Sequence, residues 1–140
     1  MNELRFEVLP YDEDDVLRFS VFASNGRFSG LAELYQSPAS VEQFGTALIA
    51  FPQNLQHTVN FEYGDGSEEW PYHVVLRAQV MDSSGHSAIY VRIQSFCSPI
   101  EAAMSELLLV AEPAAINELG RHIAYWSSNP DEPLVWQPRA

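Results

Sequence analysis

At 140 residues and 15.8 kDa, with 46% hydrophobic and 19% charged residues, the chain is the size and composition of one globular domain and not of a disordered, collagen-like or low-complexity polypeptide. Seven basic and nineteen acidic residues give a net charge of −12, and every basic residue is Arg. The expectations from this balance are no nucleic-acid partner and no membrane association, because phosphate-rich surfaces demand a basic stripe, whereas a basic protein partner is favoured.

Strand patterns come first, with Leu4, Phe6 and Val8 alternating over residues 3–9 and Leu17, Phe19 and Val21 over 15–23, joined as a hairpin across Asp12 to Asp15. A third strand at 27–36 follows the Asn25-Gly26 turn signal and turns Phe28, Gly30, Ala32 and Leu34 inward. Apolar residues Val41, Phe44, Leu48 and Phe51 then stand at helical spacing, opened by Pro38 after Ser37 and closed by Pro52. An extra strand is placed near 57–63. The second half has strands at 72–81, 86–97 and 104–111 and then a helix from Pro113 with the stripe Ile116, Leu119, Ile123 and Trp126.

The two halves repeat one another at an offset of 74 to 75: Leu17–Ser24 matches Val91–Ser98, and Pro38–Phe51 matches Pro113–Trp126 with Pro, Ala, Gly and the large apolar positions in common. The predicted fold is α+β, with six or seven mostly antiparallel strands and two helices on one face, arranged as two βββα halves (residues 3–51 and 72–127). Residues 1–127 form the single domain, and 128–140, with Pro130, Pro133 and Pro138, read as an irregular tail.

No residue pattern specifies catalysis, and no cofactor or metal is expected. Asp82-Ser83-Ser84-Gly85-His86 contains the residue types of a hydrolytic triad, but Asp, Ser and Gly at that spacing build a hairpin turn. Pairing Met81 with His86 puts His73 opposite Gln94 at the far end of the hairpin, so these histidines cannot share an ion; His57 lies in the central linker, and His122 has no partner at helical spacing. The acidic loops Asp12–Asp15 and Asp65–Glu69 lack the spacing of a calcium loop and read as solvated. Cys97 is the only cysteine, which excludes an intramolecular disulfide; among apolar neighbours it reads as a small core residue. The residues at the amino terminus do not form a signal peptide, and a cytoplasmic protein is expected.

Alternation that sends large apolar residues inward sends Arg5, Arg18, Arg27, Arg77 and Arg92 to the opposite face. Arg18, Arg77, Arg92, Tyr35, Tyr90, Glu33 and Phe22 there make a candidate interaction face, or an outer sheet surface whose Arg stems lie flat and pair with Glu.

The segments Phe28-Ser29-Gly30, Phe51-Pro52, Phe61-Glu62-Tyr63-Gly64 and Asp82-Ser83-Ser84-Gly85-His86 together resemble a group of small uncharacterised bacterial proteins. Size, acidity and strand–helix order are also similar to the acidic immunity proteins of bacterial polymorphic toxins. The resemblance spans residues 1–127 and transfers no catalytic or binding residue. The function expected is a non-enzymatic, cytoplasmic protein-interaction protein that neutralises a basic partner, with a homodimer as its oligomeric form. The alternative is a protein or enzyme that binds an anionic small molecule through the Arg-bearing face.

Overall fold

The computed structural model describes residues 1–139 and shows two four-stranded antiparallel sheets and two helices around one continuous hydrophobic core. In chain order the elements are β1 (Glu3–Leu9), β2 (Leu17–Ser24), β3 (Ser29–Gln36), α1 (Pro38–Ile49), β4 (Thr58–Tyr63), β5 (Tyr72–Val80), β6 (Ser87–Ser95), β7 (Ala103–Ala111), α2 (Pro113–Trp126) and β8 (Leu134–Trp136). The α+β class and the two βββα halves hold. Eight strands replace the six or seven expected. The eighth is Leu134–Trp136, inside the stretch read as an irregular tail, with Leu134 and Trp136 buried and the Trp136 indole donating to Ala115 O.

Local chemistry explains the elements. Alternation of buried and exposed positions is clearest in β4, where Val59, Phe61 and Tyr63 are buried and Thr58, Asn60 and Glu62 exposed, whereas β5 buries His73 to Leu76 without a break. Ser37 caps α1 by accepting from the Ser40 amide at 3.2 Å, and Pro38 and Pro113 occupy first-turn positions where no N–H is needed. At the β2–β3 turn, Asn25 Oδ1 accepts from the amides of Arg27 and Phe28, and Gly26 adopts φ +88°, a conformation that residues with a Cβ avoid. Phe28, expected inward, lies in this turn and is exposed.

The sheets run in the orders β3-β2-β1-β8 and β4-β5-β6-β7. The strand following each helix therefore leaves its own half: β4 joins the sheet of β5–β7, and β8 joins the sheet of β1–β3. Both helices pack into the core that the two sheets share. They cross each other, with Phe44 of α1 reaching Phe61 in the second sheet and Trp126 of α2 packing edge-on to Phe6 and Phe19 in the first. The crossing point is the glycine that the repeat shares. A Cβ on Gly45 would lie 2.6 Å from Ala124 N, and one on Gly120 2.5 Å from Gly45 O, so only glycine lets the backbones meet there. Asn117 adds an interhelical tie, donating to Leu48 O at 2.9 Å and Phe51 O at 2.6 Å. Among the described residues, no helix is long and apolar enough to cross a membrane.

Candidate interaction site

The candidate face divides in two. Phe22, Glu33, Tyr35 and Arg18 lie on the outer side of the first sheet, whereas Arg77, Tyr90 and Arg92 lie on the outer side of the second. Alternation tells which side of its own sheet a residue takes, and here the residues belong to different sheets. Their guanidinium groups are already engaged within the chain. Arg18 pairs with Glu33 at 3.1 Å and donates to Pro10 O; Arg5 sits over the Phe22 ring at 5.5 Å and pairs with Glu3. Arg77 lies 4.8 Å from the Tyr90 ring and donates to Asn60 Oδ1, and Arg92 is held by Gln94 and Glu106. Arg27, grouped with these by alternation, lies in the β2–β3 turn. Such partly exposed pairs each contribute a few tenths of a kcal/mol, roughly, and they serve to cover the sheets.

A different set of residues does converge. Tyr11, in the β1–β2 loop, stacks edge-on with Tyr35 of β3 at 5.1 Å between ring centroids; Tyr63, buried at the end of β4, lies near Tyr35; Trp70 closes on Tyr63 at 5.4 Å. Burial is the main cause that pushes the Tyr63 phenol above its ordinary value, with Tyr35 nearby adding to it. Tyr11, Tyr35 and Trp70 are each about two-fifths exposed, which leaves an open aromatic row.

Each end of this row enters an acidic loop in the chain, Asp12-Glu13-Asp14-Asp15 after Tyr11 and Asp65 to Glu69 before Trp70, seven carboxylates with no basic residue in either loop. Gly64 starts the second loop at φ +77°, where a Cβ would strike Tyr72 O at 2.5 Å. Within it, Ser67, whose side chain lies by Asp65 and whose amide donates to Asp65 Oδ1 at 2.8 Å, holds that carboxyl below the usual range. Exposed carboxylates around exposed aromatic faces attract a cation twice, by charge and by ring quadrupole.

The remaining sequence candidates take structural places. Asp82 accepts from the amides of Ser84 and His86 and from His86 Nδ1 at 2.7 Å, Gly85 has φ +89°, and the Ser87 hydroxyl donates to Gly85 O: this is a turn with its polar groups spent on itself. His86 is the main cause holding the Asp82 carboxyl below its ordinary value. His73 stands opposite Gln94, as the hairpin register requires, and pairs with Glu62 at 2.7 Å; His57 accepts from Gln53 N, and His122 neighbours Glu118. Among the described residues no group of three or more His, Cys, Asp and Glu side chains is placed to hold a metal. Cys97 is exposed and not a core residue, because β6 ends at Ser95 and the chain has left the sheet. Hydrogen bonds from Ser95 and Tyr72 hold its thiol below the ordinary value, while the same contact with Cys97 is the largest of the causes that push the Tyr72 phenol up to about 12.

No protein family matches the chain by sequence, and no curated protein is similar to it. Among solved structures, the chain is similar to the plant transcriptional regulator PBF-2 (11% identity, TM-score 0.48, covering 89% of this chain and 71% of the other) and to WHY1 from Arabidopsis thaliana (12% identity, TM-score 0.49, covering 91% and 81%). The exclusion of nucleic acid from net charge alone does not stand beside this finding, because one of these neighbours is a regulator of transcription. A likeness at this identity and score assigns no function to the present chain, and the acidic aromatic row is described from its own residues.

Proposed function

We propose that this chain is a non-enzymatic interaction protein of a reducing cytoplasm that captures a basic protein partner through the aromatic row Tyr11, Tyr35, Tyr63 and Trp70 and the acidic loops at its ends, in the manner of an immunity protein neutralising a basic toxin. The observation that carries this reading is that three exposed aromatic rings, Tyr11 stacked on Tyr35 and Trp70 closed on Tyr63, are flanked along the chain by loops that hold seven exposed carboxylates. Lys and Arg side chains of a partner would stack on the rings while their charged heads meet Asp and Glu. The Arg-bearing face favours an anionic ligand less, since its guanidinium groups are held by Glu33, Glu106, Gln94 and Asn60.

The test is titration of a fluorescent peptide rich in Lys and Arg, and in parallel a single-stranded oligonucleotide, against the full chain at low and at physiological salt. The peptide is expected to bind, to weaken with salt, and to lose about tenfold or more in affinity in the triple variant Asp65→Asn, Glu68→Gln, Glu69→Gln and in Trp70→Ala. Equal binding by those variants, or tighter binding of the oligonucleotide than of the peptide, would overturn the reading.

A further inference from the structure

The four strands at the borders of the two sheets differ in how their outward backbone groups are finished. Hydrogen bonds from Met81 N to His86 O and from Phe96 N to Pro71 O set the phase of the β5–β6 ladder: odd-numbered residues of β5 address β6, and even-numbered residues address β4. Since Val59 opposes Ala78 and Phe61 opposes Leu76, residues Val59, Phe61 and Tyr63 bond to β5, and Thr58, Asn60 and Glu62 turn their N–H and C=O groups away from the sheet. The same reasoning from Asn25 N to Phe28 O leaves only Val135 turned outward on β8, a three-residue strand between Pro133 and Pro138. The borders β3 and β7 are tied to the opposite sheet, where the Ser105 hydroxyl donates to Ser29 O and Asn2 Nδ2 to Val110 O.

β4 carries none of the guards that proteins place on a sheet border: it has six residues in unbroken register, no Pro, no Lys and one acidic side chain. Beside it runs a groove of about 310 Å³ between β4 and α1, lined among others by Gln36, Ser40, Gln43 and Phe44. The strand ends at Tyr63, a member of the aromatic row, and runs directly into the loop bearing Asp65, Glu68 and Glu69.

We propose that β4 is a docking edge on which an extended, Lys- or Arg-bearing segment of the partner adds as a further strand of the second sheet, its alternate side chains entering the α1–β4 groove and its basic residues meeting Glu62 and the Asp65–Glu69 loop. Strand addition of this kind takes affinity from main-chain hydrogen bonds and specificity from alternate side-chain positions. Charge selects this occupant over a second copy of the chain, which would bring another −12 to the same edge. The proposal rests on the reading of a basic partner given above.

Pro at an outward position removes a docking N–H without removing a rung of the β4–β5 ladder, so Asn60→Pro is the discriminating variant. The probe is a peptide alternating Val with Lys, titrated by fluorescence anisotropy against the full chain, with amide exchange followed by NMR. The expected result is about tenfold weaker binding by Asn60→Pro, the loss of one or two hydrogen bonds, with cooperative melting retained. In the unsubstituted chain, peptide binding is expected to slow exchange at Thr58, Asn60 and Glu62; this second readout decides the matter should Asn60→Pro not fold. Full affinity in a folded Asn60→Pro chain, or no new protection at those three amides, overturns strand addition; if the triple acidic variant still loses affinity, the basic-partner reading survives alone. Absence of peptide binding by the unsubstituted chain overturns both. Protection of the three amides without peptide, together with a dimer in sedimentation, identifies a second copy as the occupant and overturns this proposal.

Discussion

The two halves of the molecule have the same order of elements and part company at their last strand. β4 is six residues long, borders its sheet with three outward backbone positions, and leads into an acidic loop; β8 is three residues long, lies between prolines, and exposes one such position. Their interiors are handled alike, with Phe61 packed on Phe44 and Trp136 bonded to Ala115 O. The difference shows that repetition preserves what the shared core demands, since both helices cross at glycine and both last strands change sheets, while the sheet borders are free to differ. One border has become closed by brevity and proline. The other has stayed open next to the charged aromatic row.

The sharpest way to break this comparison is to separate the halves. Because each last strand completes the other half's sheet, fragments 1–66 and 67–140 are expected to be unfolded alone and to give a cooperatively melting complex when mixed, followed by circular dichroism. A fragment that melts cooperatively by itself would refute the exchange as a requirement. Trp136→Ala is expected to cost about 4 kcal/mol in urea unfolding, as large aromatic truncations in a core do; a loss under about 1 kcal/mol would make β8 an ornament of the fold. Gly120→Ala is expected to cost about 3 kcal/mol, because the methyl meets the backbone of α1 and not a yielding side chain. A neutral result would move the helix crossing elsewhere.

Two smaller effects sharpen the contrast between halves. Asn117 has no counterpart in α1, where Glu42 stands at the equivalent place, and it ties α2 to the end of α1. Asn117→Ala should cost about 1 to 2 kcal/mol by leaving the Leu48 and Phe51 carbonyls without that donor, and an unchanged urea midpoint would show that water replaces it fully. The last effect is one of pH. The Tyr72 phenol is raised to about 12 in the folded chain from the model-peptide value of 10.0, so folding favours its protonated form. That contribution is complete below about pH 10 and fades as pH climbs toward 12, and Tyr72→Phe should flatten the alkaline limb of a stability profile. A limb equally steep in the variant would assign the alkaline loss to other groups.

Much of the fold was legible because it rests on local periodicity. The stripes Val41, Phe44, Leu48, Phe51 and Ile116, Leu119, Ile123, Trp126 mark helices in the sequence, and all eight residues are buried. Leu134–Trp136 was not legible as a strand: three residues between prolines give too short an alternation, and its identity comes from pairing with Leu4 and Phe6 at the other end of the sequence. Periodicity also assigns a face without naming the sheet, which is why Arg18 and Arg92 read as neighbours and lie on different sheets. The aromatic row was illegible for a further reason, since Tyr11, Tyr35, Tyr63 and Trp70 meet only through tertiary packing. The available signal was that Tyr11 and Trp70 each adjoin a run of acids.

The pairing of Leu4 with Trp136 and Phe6 with Leu134 joins strands that are among the most distant in the sequence of this fold. The second sheet is built differently, because β4, β5, β6 and β7 pair in the order in which they follow one another along the chain. Closing a long loop costs more entropy than closing a hairpin, and long-range pairing slows folding. The β4–β7 sheet is therefore expected to gain amide protection first on refolding, and the β1–β8 pairing last.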